Sequence, residues 1–240
     1  MNNLRIFSLF TFLGLVNVAL SQSPLVGTWQ GKDAAGNTIT MICSEKYLFA
    51  GTFSPDKFIK AVGGTYQLTP SKDKQVLVFK QTFNTVDSTK AGLEIANYAS
   101  MKPTGELVIE KGPLAGTWKQ VEKMNKNKEE GTWLLKAQEE ADGRLKPWLS
   151  GAMKKVRLVT ATHFFWAGFN DETKQILGIS GGTYTIKGGK LSEKIDFSYH
   201  TPDLGGMQLV LDYVHKEAVG TMVGVNSKGK RVHEVWEKQN

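Results

Sequence analysis

At 240 residues the chain can hold one large domain or two small ones, and its 40% apolar and 22% charged residues are those of a soluble globular protein rather than a disordered chain or a membrane bundle. Twenty-five glycines against seven prolines suit short strands joined by tight turns better than long helices. The net charge of +7 is scattered: the densest basic groups, Lys154-Lys155-Arg157 and Lys228-Lys230-Arg231, lack the interleaved aromatic residues of a nucleic-acid platform, so no nucleic-acid partner is expected.

The first 21 residues read as a leader. Arg5 gives a positive start, residues 6–20 form an apolar run, and Ala19-Leu20-Ser21 puts small residues where signal peptidase reads, predicting cleavage after Ser21. The run is short for a bilayer span of ~20 residues and Asn17 interrupts it, so a cleaved leader is expected rather than an anchor. No second run of spanning length follows. The mature chain is therefore expected to be secreted or periplasmic and not an integral membrane protein. Cys43, the only cysteine, excludes an intramolecular disulfide, and its alternation with Ile39 and Met41 predicts a buried, inert thiol.

The remainder repeats itself. Gly27-Thr28-Trp29 recurs as Gly131-Thr132-Trp133, and Gly63-Gly64-Thr65-Tyr66 as Gly181-Gly182-Thr183-Tyr184. Tyr47-Leu48-Phe49-Ala50-Gly51 matches Phe164-Phe165-Trp166-Ala167-Gly168 with one residue of slippage, and 55 positions separate Gly63 from Trp118 and Gly181 from Trp236 alike. These landmarks delimit a first unit at 24–123, a polar linker at 124–130 and a second unit at 131–240. Because each unit carries its own full set, each is expected to fold alone. The second unit has an insertion at about 138–152, around Pro147-Trp148, predicted to be a loop with a short helical turn.

Within each unit the hydrophobic period is two. Ile195, Phe197 and Tyr199 share one face against Lys194, Asp196, Ser198 and His200; Leu209, Leu211 and Tyr213 repeat the pattern, as do residues 76–79. Turn signals at Lys187-Gly188-Gly189-Lys190 and Asn226-Ser227-Lys228-Gly229 separate the runs. Many short antiparallel strands without a helical segment predict an all-β fold, and closure into barrels removes the exposed edges. The expected architecture is two tandem antiparallel up-and-down β-barrels.

A Gly-x-Trp motif opening a meander of this length resembles the calycin and lipocalin-like architecture. The second unit is similar, more narrowly, to exported bacterial lipocalin-like domains of unknown function. It carries the aromatic strand Thr160-Ala161-Thr162-His163-Phe164, the Gly181-Gly182-Thr183-Tyr184 turn, Leu191-Ser192-Glu193 and the terminal Glu234-Val235-Trp236. The first unit matches only through its Gly-Thr-Trp, its Gly-Gly-Thr-Tyr and Trp118, and the Thr-Asp-Tyr motif of true lipocalins is missing. The resemblance implies a barrel and supplies no activity.

Candidate functional residues are those that break the barrel pattern. Strand parity puts Glu193, with Ile195, Phe197 and Tyr199, and Glu234, with Val232 and Trp236, on the inner face of the second barrel; the first unit has Gln75 and Gly116 at the matching positions. Buried carboxylates must be paired, protonated or wet. Either they close an internal network with Arg157, Arg231, Tyr184 or Tyr199, or with Tyr184 they floor a ligand cavity lined by His163, Trp166 and Tyr199. All four histidines, His163, His200, His215 and His233, lie in the second unit, but no two have metal-ligand spacing, so no metal, haem or other cofactor is expected. By parity His215 points inward while His200 and His233 face solvent. No nucleophile motif occurs, which argues against an enzyme. The sequence favours a small-molecule binder whose guest sits in the second barrel. The other reading is a structural or protein-interaction module with filled barrels.

Overall fold

The computed structural model describes residues 23–240 except 56, 73, 126, 149–150, 200–204, 227–228 and 240; the expected leader and His200 lie outside the described residues. The chain is all-β and forms two closed eight-stranded antiparallel barrels in tandem. The first runs β1 (Gly27–Lys32), β2 (Thr38–Cys43), β3 (Tyr47–Ser54), β4 (Lys57–Ser71), β5 (Lys74–Asn84), β6 (Glu94–Met101), β7 (Glu106–Ile109) and β8 (Gly116–Lys123), each pairing with the next, and β8 returns to β1. The second uses β9 (Gly131–Glu139), β11 (Met153–Val159), β12 (His163–Asn170), β13 (Ile176–Lys187), β14 (Lys190–Ser198), β15 (Gln208–Lys216), β16 (Val219–Val225) and β17 (Arg231–Lys238), closed by β17 against β9. The described residues of the insertion hold a strand, β10 (Leu145–Pro147), and no helical turn. It pairs with Ala137, Gln138 and Glu139, continuing along the edge of β9 that β11 leaves after Leu134. In the connection between the barrels, buried Glu130 accepts from Asn125 N and Asn127 Nδ2.

The repeated motifs each do a fixed job. Gly27, Gly131 and a third copy at Gly116-Thr117-Trp118 adopt φ of 135°, 130° and 152°, a region that penalises a side chain. The tryptophan that follows is buried, and its indole donates to the carbonyl four residues earlier: Trp29 to Leu25, Trp118 to Leu114, Trp133 to Glu129. In Gly-Gly-Thr-Tyr, the first glycine lies under a phenylalanine ring, Phe83 on Gly63 and Phe197 on Gly181. The second faces a carbonyl so closely that a Cβ would stand 1.9 Å from Lys80 O or 2.0 Å from Lys194 O. A bulge sits between the two glycines in both barrels. The buried tyrosine then donates to the Ser44 or Thr160 carbonyl at 2.7 Å.

That bulge reverses strand parity, so Ile195 points into the second barrel while Phe197 points out of it. Phe197 joins a second, shared core between the barrels. Ile42, Phe49, Ala61 and Phe83 from β2–β5 meet Val156, Leu158, Phe165, Phe169, Ile179 and Phe197 from β11–β14. The contacts are reciprocal. Aligning the two Gly-Thr-Trp and Gly-Gly-Thr-Tyr motifs makes Phe49 the counterpart of Phe165, Phe53 of Phe169, Phe83 of Phe197, and Ser44 of Thr160. Phe49 meets Phe165 at 5.4 Å between centroids, Phe53 meets Phe197 at 5.1 Å, and Phe83 meets Phe169 at 6.0 Å. Thr28 bonds Thr160 at 2.8 Å and Thr132 bonds Ser44 at the same distance. This is an isologous interface, the kind a two-fold dimer makes, built within one chain. A half severed within 124–130 would turn this aromatic face to water, which counts against independent folding.

Candidate functional site

The second barrel turns four charges inward in two pairs, Arg157 with Glu193 buried and Lys155 with Glu234 half-buried. On β11, Val156 and Leu158 face the shared core, so Lys155 and Arg157 face the lumen. Arg157 Nη2 lies 2.6 Å from Glu193 Oε1, an ion pair that is close without being an aligned hydrogen bond. The guanidinium also sits 4.5 Å from the centroid of Phe164. Lys155 Nζ lies 2.6 Å from Glu234 Oε1 and 4.6 Å from the Trp166 centroid, and Trp236 Nε1 donates to Glu234 Oε2 at 3.0 Å. Burial disfavours ionised Glu234, but Lys155 and the Trp236 indole outweigh it and hold the carboxyl below its ordinary range. Trp166 and Trp148 pack against the same core. What remains open is a cavity of about 20 Å³ beside Trp133, Arg157, Tyr184, Tyr213 and Trp236, room for a single water.

The first barrel has apolar or small residues at every one of these positions. Strand register, not distance along the chain, identifies them. The β4–β5 hairpin is longer than β13–β14, so the residue opposite Tyr66 is Phe79, as Glu193 is opposite Tyr184; Gln75 is not the counterpart. Arg157 and Glu193 thus correspond to Met41 and Phe79, Lys155 and Glu234 to Ile39 and Gly116, and Trp166 to Ala50. The replacements come in matched pairs, each ion pair standing where the other barrel has two uncharged residues. Losing the tryptophan, the lysine and the glutamate opens the first barrel at one end. The cavity there is about 430 Å³, with Ile39, Ala50, Thr52, Val62, Asn84 and Trp118 on its wall and Lys32, Asp33, Lys60 and Pro113 around its mouth. No signal short of aligning the two barrels strand by strand would have found it.

Of the residues expected to line one site, the structure brings Glu193, Glu234, Tyr184 and Trp166 into the second barrel and separates the others. Tyr184 is committed to the Thr160 carbonyl, and burial raises its hydroxyl pKa. Tyr199 is outside the lumen, packed on Phe58 at 5.6 Å in the shared core, because the bulge has reversed its face. His163 also faces away from the lumen. His215 does point inward, edge-on to Trp133 at 5.2 Å with Nε2 on the Glu217 carbonyl at 2.8 Å. His233 is half-buried, with Nδ1 3.5 Å from Glu139 Oε2, rather than free in solvent. Arg231 pairs with the same Glu139. Cys43 is buried in the first core, where desolvation pushes its thiol far above the ordinary range.

His163 instead belongs to a polar clasp across the barrels. Glu122 of β8 accepts from Thr160, from Thr162 at 2.9 Å and from Thr28 at 3.3 Å, with His163 Nδ1 at 3.2 Å. Burial opposes its ionisation, yet His163, Thr160 and Thr162 together bring its pKa down to about 2 from 4.5. The folded state therefore holds this carboxylate better than the unfolded chain does. The clasp stabilises fully above the unfolded value and is lost as pH falls from about 4.5 through about 2. Thermal melts from pH 6 down to pH 2 are expected to show the Glu122→Gln protein losing less stability across this window than the parent; equal losses would place the acid sensitivity elsewhere.

No protein-family model matches the chain, and no curated protein does. Among solved structures it is similar to a lipocalin-like protein from Bacteroides uniformis, at 13% identity and a TM-score of 0.35, over 47% of this chain and 100% of that one. Among the described residues no helix is long and apolar enough to cross a membrane.

Proposed function

We propose that this protein is an exported carrier that holds one small, largely apolar molecule in the open end of the first barrel, while the second barrel serves as its structural partner. The observation that carries this reading is the 430 Å³ cavity at the wall of Ile39, Ala50, Val62 and Trp118. Its volume is that of a small-molecule site, and apolar side chains share its lining with Thr52, Asn84, Lys32, Asp33 and Lys60. The second barrel, which the sequence favoured for the guest, is occupied by its own ion pairs and tryptophans and suits the filled, structural role. Support for export comes from the leader-like run at 6–20 behind Arg5.

Ala50→Trp tests the assignment, because tryptophan is what the second barrel places at that position. Titration with 1-N-phenylnaphthylamine should give one saturable site in the parent protein and at least a tenfold loss of affinity in Ala50→Trp, with the melting temperature close to the parent's. Undiminished binding in the substituted protein would remove the first barrel as the site.

A further inference from the structure

The mouth of the same cavity is crossed by a row of facing residues. Strand pairing sets Ile39 opposite Thr52 and Thr52 opposite Lys60. Directly paired residues share a face, so all three turn to the lumen, with Ala50 and Val62 one layer deeper. The second barrel has Lys155, Gly168 and Gly178 at these places. It therefore sets its cation on β11 and meets it with a carboxylate of its own, Glu234. The first barrel moves the cation to β4, as Lys60, and has Gly116 where Glu234 would stand. Lys60 is exposed and makes no salt bridge among the described residues. Two glycines close the second barrel at the places of Thr52 and Lys60, so the fold itself requires neither side chain.

The other polar groups of the lining leave room for an anion. Asp33, its one carboxylate, feels the charge of Lys60 but is committed to its own turn. Its oxygens accept from the backbone N–H groups of Ala35 and Asn37 at 2.9 Å and from Asn37 Nδ2 at 2.8 Å. Lys32 and Lys60 against Asp33 leave the mouth with one net positive charge. Thr52 is 3% exposed, and its hydroxyl has no hydrogen-bond partner among the described residues. Asn84 Oδ1 already accepts from the N–H groups of Val86 and Asp87, at 3.0 and 3.1 Å, so its lone pairs do not face a guest unmet.

We infer that the guest is an apolar molecule carrying one carboxylate, which Lys60 and the Thr52 hydroxyl hold at the mouth of the first barrel. The guest brings the carboxylate that Glu234 supplies inside the second barrel. Its apolar body lies on Ile39, Ala50, Val62 and Trp118, and the charge stays at the wet rim instead of entering the apolar interior. This rests on the carrier reading above and adds the chemistry of the guest.

The test uses the full-length mature protein and three probes of one shape: 2-naphthoate, the neutral 2-naphthamide and the cationic 2-naphthamidine. Calorimetry should show naphthoate binding about tenfold or more tighter than naphthamide, with the amidine weakest. The advantage of naphthoate should shrink as salt is raised. In Lys60→Met it should disappear while naphthamide binds as before. Thr52→Val should weaken naphthoate severalfold and leave the melting temperature near the parent's, because the lost hydroxyl bonds nothing in the protein. Equal binding of naphthoate and naphthamide to the parent, or naphthoate binding undiminished in Lys60→Met, would overturn the carboxylate inference. If none of the three binds while 1-N-phenylnaphthylamine still does, the inference falls and the carrier reading stands. If that dye fails to bind as well, both fall.

Discussion

Glu193→Gln is expected to destabilise the protein by about 3–5 kcal/mol, because it leaves the Arg157 guanidinium buried without its counter-charge. Both side chains are nearly inaccessible, at 5% and 6%, so water cannot replace the lost partner. Arg157→Met alone should cost a similar amount by stranding the carboxylate. The double replacement Arg157→Met with Glu193→Phe transplants the pair that the first barrel uses at these positions, and both of those residues sit in its core. It should recover most of the loss, since an ion pair exchanged for packed apolar residues is commonly neutral or stabilising. Chemical denaturation of the parent, Arg157→Met, Glu193→Phe and the double variant measures the coupling directly. If the double variant is as unstable as the sum of the singles, the two positions are not a unit and the correspondence between barrels is wrong.

Phe197→Ala should cost about 3–5 kcal/mol, the loss usual for a large buried aromatic residue, although the side chain lies outside both barrels. Its ring covers Gly51 of the first barrel and Gly181 of the second and packs on Phe53 and Phe165. Reciprocity predicts a comparable penalty for Phe83→Ala, which covers Gly63 and packs on Phe49 and Phe169. Denaturation followed by fluorescence should show one transition for the whole chain, shifted by either substitution. Two separate transitions, or losses below about 1 kcal/mol, would mean that the barrels fold without each other.

The repeat and the period of two were enough to read two barrels from the residues, since Gly-Thr-Trp and Gly-Gly-Thr-Tyr each fix a backbone feature that only glycine permits. The site was harder. In β11 the apolar face, Val156 and Leu158, is turned outward and the charged face, Lys155 and Arg157, inward. Alternation shows that the two faces differ; it does not show which one meets the lumen when a neighbouring barrel also buries apolar surface. A bulge at Gly181-Gly182 moved Phe197 and Tyr199 out of the barrel, and a longer hairpin displaced the counterpart of Glu193 from Gln75 to Phe79. Both depend on register, which a single strand's sequence does not contain. The inward placement of Glu193 and Glu234 was legible, because it follows from parity on the near side of the bulge; Arg157 was one of four partners that the residue types allowed, and only the pairing of β11 singles it out. The open end of the first barrel was not, since a cavity is set by the side chains that are small, here Ala50 and Gly116, across strands far apart in sequence.

The central claim is that matched replacements fill the second barrel and leave the first one open. Methyl NMR of the full-length mature protein, labelled at isoleucine, leucine and valine and titrated with 1-N-phenylnaphthylamine, tests it most directly. The account predicts saturable shifts at Ile39 and Val62, which line the first cavity, with Leu191 and Ile195 in the second core unmoved. Shifts at Leu191 and Ile195 with none at Ile39 and Val62 would contradict it and return the guest to the second barrel.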